Sequence, residues 1–428
     1  MGRMGGMGFF FYPIIPILPI KLAVNQGFIK CSIGSTTRKY PTIEIKVVPR
    51  KGSKAICSGC NQIRPGYDSL AQRHFEHIPI WGFLVFFVYA LRRVECPECG
   101  VKVEVVPWVR GKNQLTESYS WFLANWARRM SWQEVSECFR TTWHHVFNSV
   151  KMAVEWGRQR VDLSNISAIG VDEVLWHRGH KYLTVVYQID LHCKRLLWIG
   201  EDRKIETLEK FFGWFQEERI EKLKFICSDM WRAYINVITK NAGNALHVLD
   251  RFHIMAQISK AINKVRNQEI TKLKKDGKQP VLRKCKWIFL KNPENLSESQ
   301  EQKLAELLKQ NLKTVKSYLL KEDFQRLWDY VSPYWAEWFI NRWMKRVMYS
   351  KIEPMKDIAK MIRRHKPLIL NWFKAKKELS SGAVEGLNNK LKLTFRKAYG
   401  FRTYMATEIQ CYHALGKLPE PEFTHIFF

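Results

Sequence analysis

Two apolar, strand-like runs in this chain each deliver an aspartate at or just past their end. They read ISAIGVDEV, with Asp172, and LKFICSD, with Asp229. A third carboxylate, Glu385, lies far downstream in SSGAVEGLNNKLKLTFRKAYGFR, residues 380–402, a segment of helical periodicity. The pattern restricts the fold, because three acids from separate elements act together only where two strand ends and one helix converge. Such a set suits two divalent cations about 3.5–4 Å apart, which need several anionic oxygens to hold them against their mutual repulsion. The expected cofactor is therefore Mg²⁺ (or Mn²⁺), two per active site. The expected chemistry is phosphoryl transfer, in which a water or 3′-hydroxyl is activated on one side of a phosphodiester and the leaving oxygen is stabilised on the other.

Charge points to the same substrate class. The chain of 428 residues carries 70 Lys+Arg against 40 Asp+Glu, a formal charge of +30. Residues 260–378 hold 29 basic and 13 acidic side chains, and residues 386–402 add five basic ones and no acid. A basic surface alone also serves solubility. Here basic residues alternate with aromatics (17 Trp, 25 Phe, 15 Tyr), which sets phosphate contacts beside stacking surfaces and favours nucleic acid. Of ten cysteines, four form two Cys-x-x-Cys pairs and six are scattered, as in a reducing cytosol rather than a disulfide framework. No uninterrupted apolar stretch of 18 residues follows the N-terminus, so no membrane span is expected. The opening MGRMGGMGFFFYPIIPILPIKLA superficially resembles a short signal peptide. Its three prolines and lack of a small-residue cleavage pattern argue instead for a strand-like extension or an upstream start codon.

The chain reads as a multidomain α/β protein with four segments. Residues 1–44 form an extension that need not be native. Within residues 45–110, Cys57-x-x-Cys60 and Cys96-x-x-Cys99 bracket 35 strand-like residues. Four thiolates so arranged suit one structural Zn²⁺, the plan of a zinc ribbon. Two reduced pairs in a core are the plainer alternative. Residues 111–160 form the next segment, in which 112–157 contain no Pro and look helical throughout. SWQEVSECF carries a capping box at Ser131 and Glu134, and RTTWHHVFNSVKMAVEW follows after a short break, with Trp143, Val146, Phe147, Val150 and Val154 on one face. Helix, turn, helix is a DNA-reading plan, with Arg140, Thr141, His144, His145 and Lys151 toward the groove. The turn lacks its favoured Gly, and an ordinary helical hairpin fits the pattern too.

Residues 161–428 change character. Strand-like runs fall at 166–171, 182–189, 195–199, 224–228 and 245–249, with a helical IETLEKFFGWFQEERIEKL between the third and fourth. Three meandering strands, helix, strand, helix, strand is the order of the ribonuclease-H-like fold. In that fold the first and fourth strands are central neighbours, so Asp172 and Asp229 would lie side by side. An all-helical insertion follows at about 260–378, with one loop near KNPENLSESQ. In the last helix Val384, Leu387, Leu391 and Ala398 mark the apolar side, Glu385, Asn389, Lys392 and Arg396 the other, and Gly400 the end.

At these motifs the chain resembles the bacterial insertion-sequence transposases of the ISL-three group, within the DDE superfamily. The matching pieces are the double Cys-x-x-Cys, GVDEVLWHRGHKYLTVVYQID, SDMWRAY, VLDRFHI with VRNQE, WIFLKNPENL and, most specific, GAVEGLNNKLKLTFRKAYGFR. The resemblance covers roughly residues 45–415. It implies a zinc-ribbon and helix-turn-helix front end that binds double-stranded DNA at the element's terminal inverted repeats. It further implies a ribonuclease-H-like catalytic domain with Asp172, Asp229 and Glu385 in the DDE positions. The activity it implies is hydrolysis at the element ends, then attack of the freed 3′-hydroxyl on target DNA, by a homodimer or larger assembly. A bacterial, nucleoid-associated cytoplasmic protein is the matching location.

Each acid also has a plainer reading. Glu173 follows Asp172 and could ligate metal or pair with Arg178, but strand neighbours face opposite sides, so only one points into the site. Asp229 could cap a helix starting at Met230, and Glu385 could sit on a surface. His180, Arg251 and His253 suit either phosphate contact or a structural role. Lys390, Lys392, Arg396, Lys397 and Arg402 suit DNA backbone contact. The rival functions are a DNA-binding regulator that no longer cuts, and a ribonuclease-H-like resolvase or repair nuclease.

Overall fold

A largely polar run, Gly66–Ile80, and an apolar one, Phe83–Cys96, fold as one long antiparallel hairpin. The computed structural model describes residues 40–177, 179, 181–277, 281–375, 382–398 and 400–422. It comprises two compact units: residues up to 161 together with those from 396 onward, and residues 162–395.

In the first unit the strands are β1 (Thr42–Lys46), β2 (Ala55–Ile56), β3 (Ile63–Arg64), β4 (Gly66–Ile80), β5 (Phe83–Cys96) and β6 (Gly100–Val103). β5 is central, antiparallel to β4 and β6 and parallel to β1, while β2 and β3 pair separately. Trp81 and Gly82 close the β4–β5 hairpin with φ of 51° and 82°, the left-handed pair that a two-residue turn of matching twist requires. Phe75, Phe87, Tyr89, Leu91 and Trp108 make the core of this sheet. Within it, buried Glu104 accepts bonds from the Tyr89 hydroxyl (2.6 Å) and from the Arg92 amide and Nε (2.8 Å each), so the buried carboxylate is fully paired.

The segment expected to be helical throughout is broken into α1 (Glu117–Trp126), α2 (Trp132–Cys138) and α3 (Trp143–Arg158). The capping box of Ser131 and Glu134 starts α2 as the spacing predicts. Arg140 supplies the turn before α3 by adopting φ 54°, the conformation a Gly would otherwise provide. Val146, Val150 and Val154 are buried, whereas Trp143 at the start of α3 is exposed.

The second unit holds β7 (Ala168–His177), β8 (Lys181–Ile189), β9 (Lys194–Glu201), α4 (Ile205–Phe215), α5 (Glu217–Ile220), β10 (Phe225–Ser228), α6 (Arg232–Asn241) and β11 (Leu246–Leu249). The sheet order is β11-β10-β7-β8-β9, with β7–β9 antiparallel and β10 and β11 parallel to β7. The first and fourth strands are thus neighbours. β7 runs past the apolar run to His177, so Asp172 lies inside the strand rather than at its end; the pairing with β8 continues through Glu173 and Val174. One face of the sheet is covered by α4 and α6 through Phe211, Phe212, Phe215 and Tyr234.

The helical segment is α7 (Arg251–Lys275), α8 (Lys286–Leu290), α9 (Glu298–Leu308), α10 (Lys313–Gln325), α11 (Pro333–Tyr349) and α12 (Glu353–Lys374), followed by α13 (Gly382–Lys397). Glu269 on α7 accepts from the amides of Lys313 and Thr314 at 2.8 and 2.9 Å, capping α10 where Leu312 cannot. α13 stops at Lys397, so Ala398 lies outside it; Gly400 follows with φ 89°. α14 (Tyr404–Leu415) returns to pack on α3 in the first unit. Among the described residues no helix is long and apolar enough to cross a membrane.

Two buried imidazoles of the first unit make its stability pH-dependent. Burial pushes His77 down to about 4 and His413 down to about 3. In the unfolded chain both titrate near 6.5, so the unfolded state takes up protons that the folded state refuses as pH falls from about 6.5 toward 4. Stability from these groups is present above about 6.5 and lost below it. The thermal midpoint should fall across this window, and His413→Phe should flatten the decline; an unchanged slope in that variant would show that His413 is not buried neutral.

Candidate functional site

Three of the five strands bring an acid to one region of the second unit. Asp172 on β7 faces the side of the sheet covered by α13. Gly170, two residues earlier on the same face, makes that approach possible: a Cβ there would lie 2.4 Å from the Val384 side chain. Asp172 Oδ1 accepts the Glu173 amide at 2.7 Å, and its Oδ2 accepts from the Asn388 side-chain nitrogen. The Tyr187 hydroxyl, on β8 opposite Gly170, donates to Asn388 Oδ1 at 2.7 Å. That bond fixes which end of the amide faces Asp172. Asn388 and Tyr187 are buried. Glu385 lies one turn before Asn388 on α13 and is half-buried.

Asp229 sits immediately after β10 and accepts the Trp231 amide at 2.9 Å. Burial pushes its carboxyl upward, and the charge of Asp172 adds to the effect. Glu173 is pushed upward by burial and by Asp229, against the opposing pull of Arg203, its ion-pair partner at 3.4 Å. Its expected partner Arg178, like His180, lies outside the described residues. Asp250, immediately after β11, accepts the Phe252 amide at 2.8 Å; burial pushes it up to about 6, with Asp172 and Glu385 contributing. His253 Nε2 stands 3.9 Å from Asp172 Oδ2, and that interaction pushes the imidazole up to about 9. Arg251 instead covers the Trp372 ring, 5.4 Å from its centroid. A cleft of about 810 Å³ opens beside these groups, lined by Glu173, Arg203, Asp229, His253, Arg364 and His365 among others.

Asp172, Asp229, Glu173, Asp250 and Glu385 thus belong to one electrostatic cluster. Buried like charges raise one another's proton affinity, and a cation is the other way to relieve them. Their oxygens are the donor type that a hard divalent ion such as Mg²⁺ or Mn²⁺ takes, but among the described residues only the four cysteines gather three or more ligand atoms within 4.8 Å, so the acids are neighbours in charge rather than a closed ligand set. Asp250, Asn388 and Arg203 were not singled out from sequence. Asp250 carries the same signal as Asp229, an acid directly after a strand-like run. Asn388 carried no signal, since it lies among the apolar positions of α13.

In the first unit the sulfurs of Cys57, Cys60, Cys96 and Cys99 all lie within 4.8 Å of one another, Cys60 and Cys96 at 3.6 Å. Tetrahedral Zn–S bonds of about 2.3 Å place sulfurs roughly 3.8 Å apart, so the cluster has the size and ligand type that a zinc ion takes. Gly59 leaves room for it: a Cβ there would sit 2.7 Å from Cys99 Sγ.

The groove-facing candidates divide. His144 is exposed, and Lys151 is partly exposed, 3.8 Å from Glu155. His145 and Thr141 are bonded to each other at 2.9 Å and approach Glu76, each at 3.4 Å, which ties them into the protein. Arg140 lies in the turn, its guanidinium 4.6 Å from the Tyr40 ring centroid. Lys390, Lys392, Arg396, Lys397 and Arg402 are all exposed.

Comparison with known proteins gives a consistent family. The ISL3 family of DDE transposases, described as "Transposase", matches residues 169–409. The chain is similar to the transposase for insertion sequence element IS1001 of Bordetella parapertussis, 28% identical over 350 residues, covering 81% of this chain and 85% of that protein. It is also similar to the transposase for insertion sequence element IS1557 of Mycobacterium tuberculosis, 28% identical over 385 residues, covering 84% and 86%.

The cysteine cluster predicts about one Zn²⁺ per chain in freshly purified protein. Cys57→Ser with Cys60→Ser should release it and lower the cooperativity of unfolding, because metal binding and local folding are coupled. Elemental analysis that finds no zinc in native protein refutes the assignment.

Proposed function

The chain belongs to the ISL3 family of DDE transposases, and we propose that it binds the terminal inverted repeats of its element, cuts there, and joins the freed 3′-hydroxyls to target DNA. The observation that carries this reading is the bond from Asn388 to Asp172, which ties the helix of Glu385 to the strand of Asp172, with Asp229 in the same electrostatic cluster. In this reading the five-stranded unit is a ribonuclease-H-like catalytic domain and the helices between β11 and α13 are its insertion. Residues 45–110 act as a zinc ribbon and 111–160 as a helix-turn-helix that reads the repeats. The location is the bacterial cytoplasm, at the nucleoid.

Asp172, Asp229 and Glu385 are the residues we assign to the metal pair, with Asp250 able to complete the oxygen shell. Bound divalent cations supply an activated nucleophile and charge neutralisation at the leaving oxygen. The protein's own work is positioning. Asn388 and Tyr187 hold the Asp172 carboxylate in one orientation, and His253 offsets its charge when DNA and cations are absent. Arg203 and Arg364 line the cleft where a phosphodiester would enter. Water hydrolyses the end phosphodiester and frees a 3′-hydroxyl, which attacks a target phosphorus and forms a new P–O bond as the target strand's 3′-oxygen leaves, so no covalent protein–DNA bond is needed. Acting on two ends together calls for at least a dimer.

Asp172→Asn, Asp229→Asn and Glu385→Gln should each lower cleavage of end-containing duplex by orders of magnitude, with DNA binding kept within a few-fold. A variant that still cuts at near the normal rate removes its residue from the triad. Wild-type protein that binds ends yet never cuts would make the chain a regulator.

Asn388→Ala should raise the Mn²⁺ concentration for half-maximal cleavage by roughly 10–100-fold, the usual effect of losing an outer partner of a ligand. Tyr187→Phe should shift it the same way and less. An unchanged Mn²⁺ dependence in both would show that the Asn388 bond is only structural.

A further inference from the structure

Helix α11 places its tryptophans on two opposite sides. Ala336, Ile340, Trp343 and Val347 face the interior, and Trp343 donates its indole N–H to the Leu320 carbonyl at 2.9 Å. The opposite side carries Tyr334, Trp335, Trp338, Arg342, Lys345 and Tyr349, a continuous stripe at helical spacing. Tyr334 is 70% exposed, Trp335 53%, Trp338 45% and Tyr349 75%. Four large rings left in water along one helix form a surface that calls for a partner.

Charge identifies the partner. The Arg342 guanidinium lies 5.2 Å from the Trp338 ring centroid, and Trp335 and Trp338 meet edge to face at 6.1 Å. The acids near the stripe are already neutralised, Glu337 by Lys366 at 2.6 Å and Asp323 by Arg346. That leaves Arg342, Lys345 and Arg363 as cations with no carboxylate partner among the described residues. Lys345, Tyr349 and Arg363 line a groove of about 510 Å³ between α11 and α12. Rings spaced along a helix and flanked by unpaired cations match an unpaired nucleic-acid strand, whose bases expose their faces and whose phosphates supply the anion. A duplex offers the phosphates but keeps its base faces stacked away.

We propose that the exposed stripe of α11, with the groove beside it, binds unpaired nucleotides of the DNA being processed. The assignment rests on DNA being the substrate and adds that one face of the helical insertion holds single-stranded DNA by stacking.

The test uses full-length protein with an oligo(dT) strand and a matched duplex, each about 20 nucleotides long, at one salt concentration and read by fluorescence anisotropy. Trp335→Ala with Trp338→Ala should weaken binding of the strand by roughly tenfold or more and change duplex binding less than twofold. Trp335→Tyr with Trp338→Tyr should restore most of the loss, since any aromatic face stacks. Circular dichroism melting of each variant checks that the helix stays folded. Strand affinity unchanged in the double alanine variant overturns the proposal. So does an equal loss on strand and duplex, which marks a general charge surface. Loss of self-association in sedimentation, with DNA binding intact, would assign the stripe to a second copy of the chain. If wild-type protein cuts end-containing duplex while the alanine variant binds strands normally, only the stripe assignment fails. If wild-type protein binds neither DNA, the transposase reading fails with it.

Discussion

The hydrogen bond from Asn388 to Asp172 joins residues 216 positions apart, and the arrangement of the second unit depends on it. Between them the chain completes the sheet, departs through α7 to α12 and returns as α13. The cost of closing so long a loop grows only logarithmically with length, so the excursion is tolerable if the return is well anchored. The anchor has an apolar and a polar part. Val384 fills the space that Gly170 leaves open on β7, and Asn388 reaches the acid two residues along that strand. Tyr187 turns the amide so that a donor, not an acceptor, meets the carboxylate. Without it the amide could present either end, and one of them would repel Asp172.

The same contact carries an electrostatic burden. Asp172, Asp229, Asp250 and Glu173 crowd one region of the sheet around β7, β10 and β11, and burial raises the last three. Such a cluster opposes folding unless protons, cationic side chains or metal ions offset it. His253 and Arg203 provide partial offsets on the protein's side, one at Asp172 and one at Glu173. Any ion that binds only the folded cluster adds stability by mass action. The acids are therefore a poor choice for stability alone and a sensible one for a site that binds cations.

Much of this was legible in sequence because its causes are local. The strand order follows from runs of β-branched residues between turn signals, and the capping box at Ser131 fixes the start of α2. The cysteine knuckles announce themselves by spacing. Less was legible where cause and effect are distant. Asn388 sits among Val384, Leu387 and Leu391, and nothing in its neighbourhood says that a buried amide there faces a carboxylate from β7. His145 looked available for a groove by its place on α3, but Thr141 and Glu76 engage it, and Glu76 lies 69 residues earlier on the hairpin. The extension of β7 past Asp172 was hidden because pairing with β8 holds polar residues such as Glu173 in the strand as firmly as apolar ones. Asp250 follows a strand-like run just as Asp229 does, and only the three-dimensional neighbourhood of Asp172 sets it among the acids of the cluster.

Charge on this molecule is segregated by depth. A chain of net +30 exposes cations along α11 and α13, while Asp172 within β7 and Asp250 after β11 are buried. A surface of that sign attracts a polyanion from beyond contact range, and the attraction fades with salt. The buried acids would repel a phosphate that came close without cations between them. Approach and chemistry therefore impose opposite demands, and distance alone cannot satisfy both. Divalent ions held by these acids would reverse the sign that the phosphate meets. On this view the metal does more than activate a nucleophile: it makes an acidic centre compatible with an acidic substrate, which explains why the acids are gathered where no cationic side chain fully neutralises them.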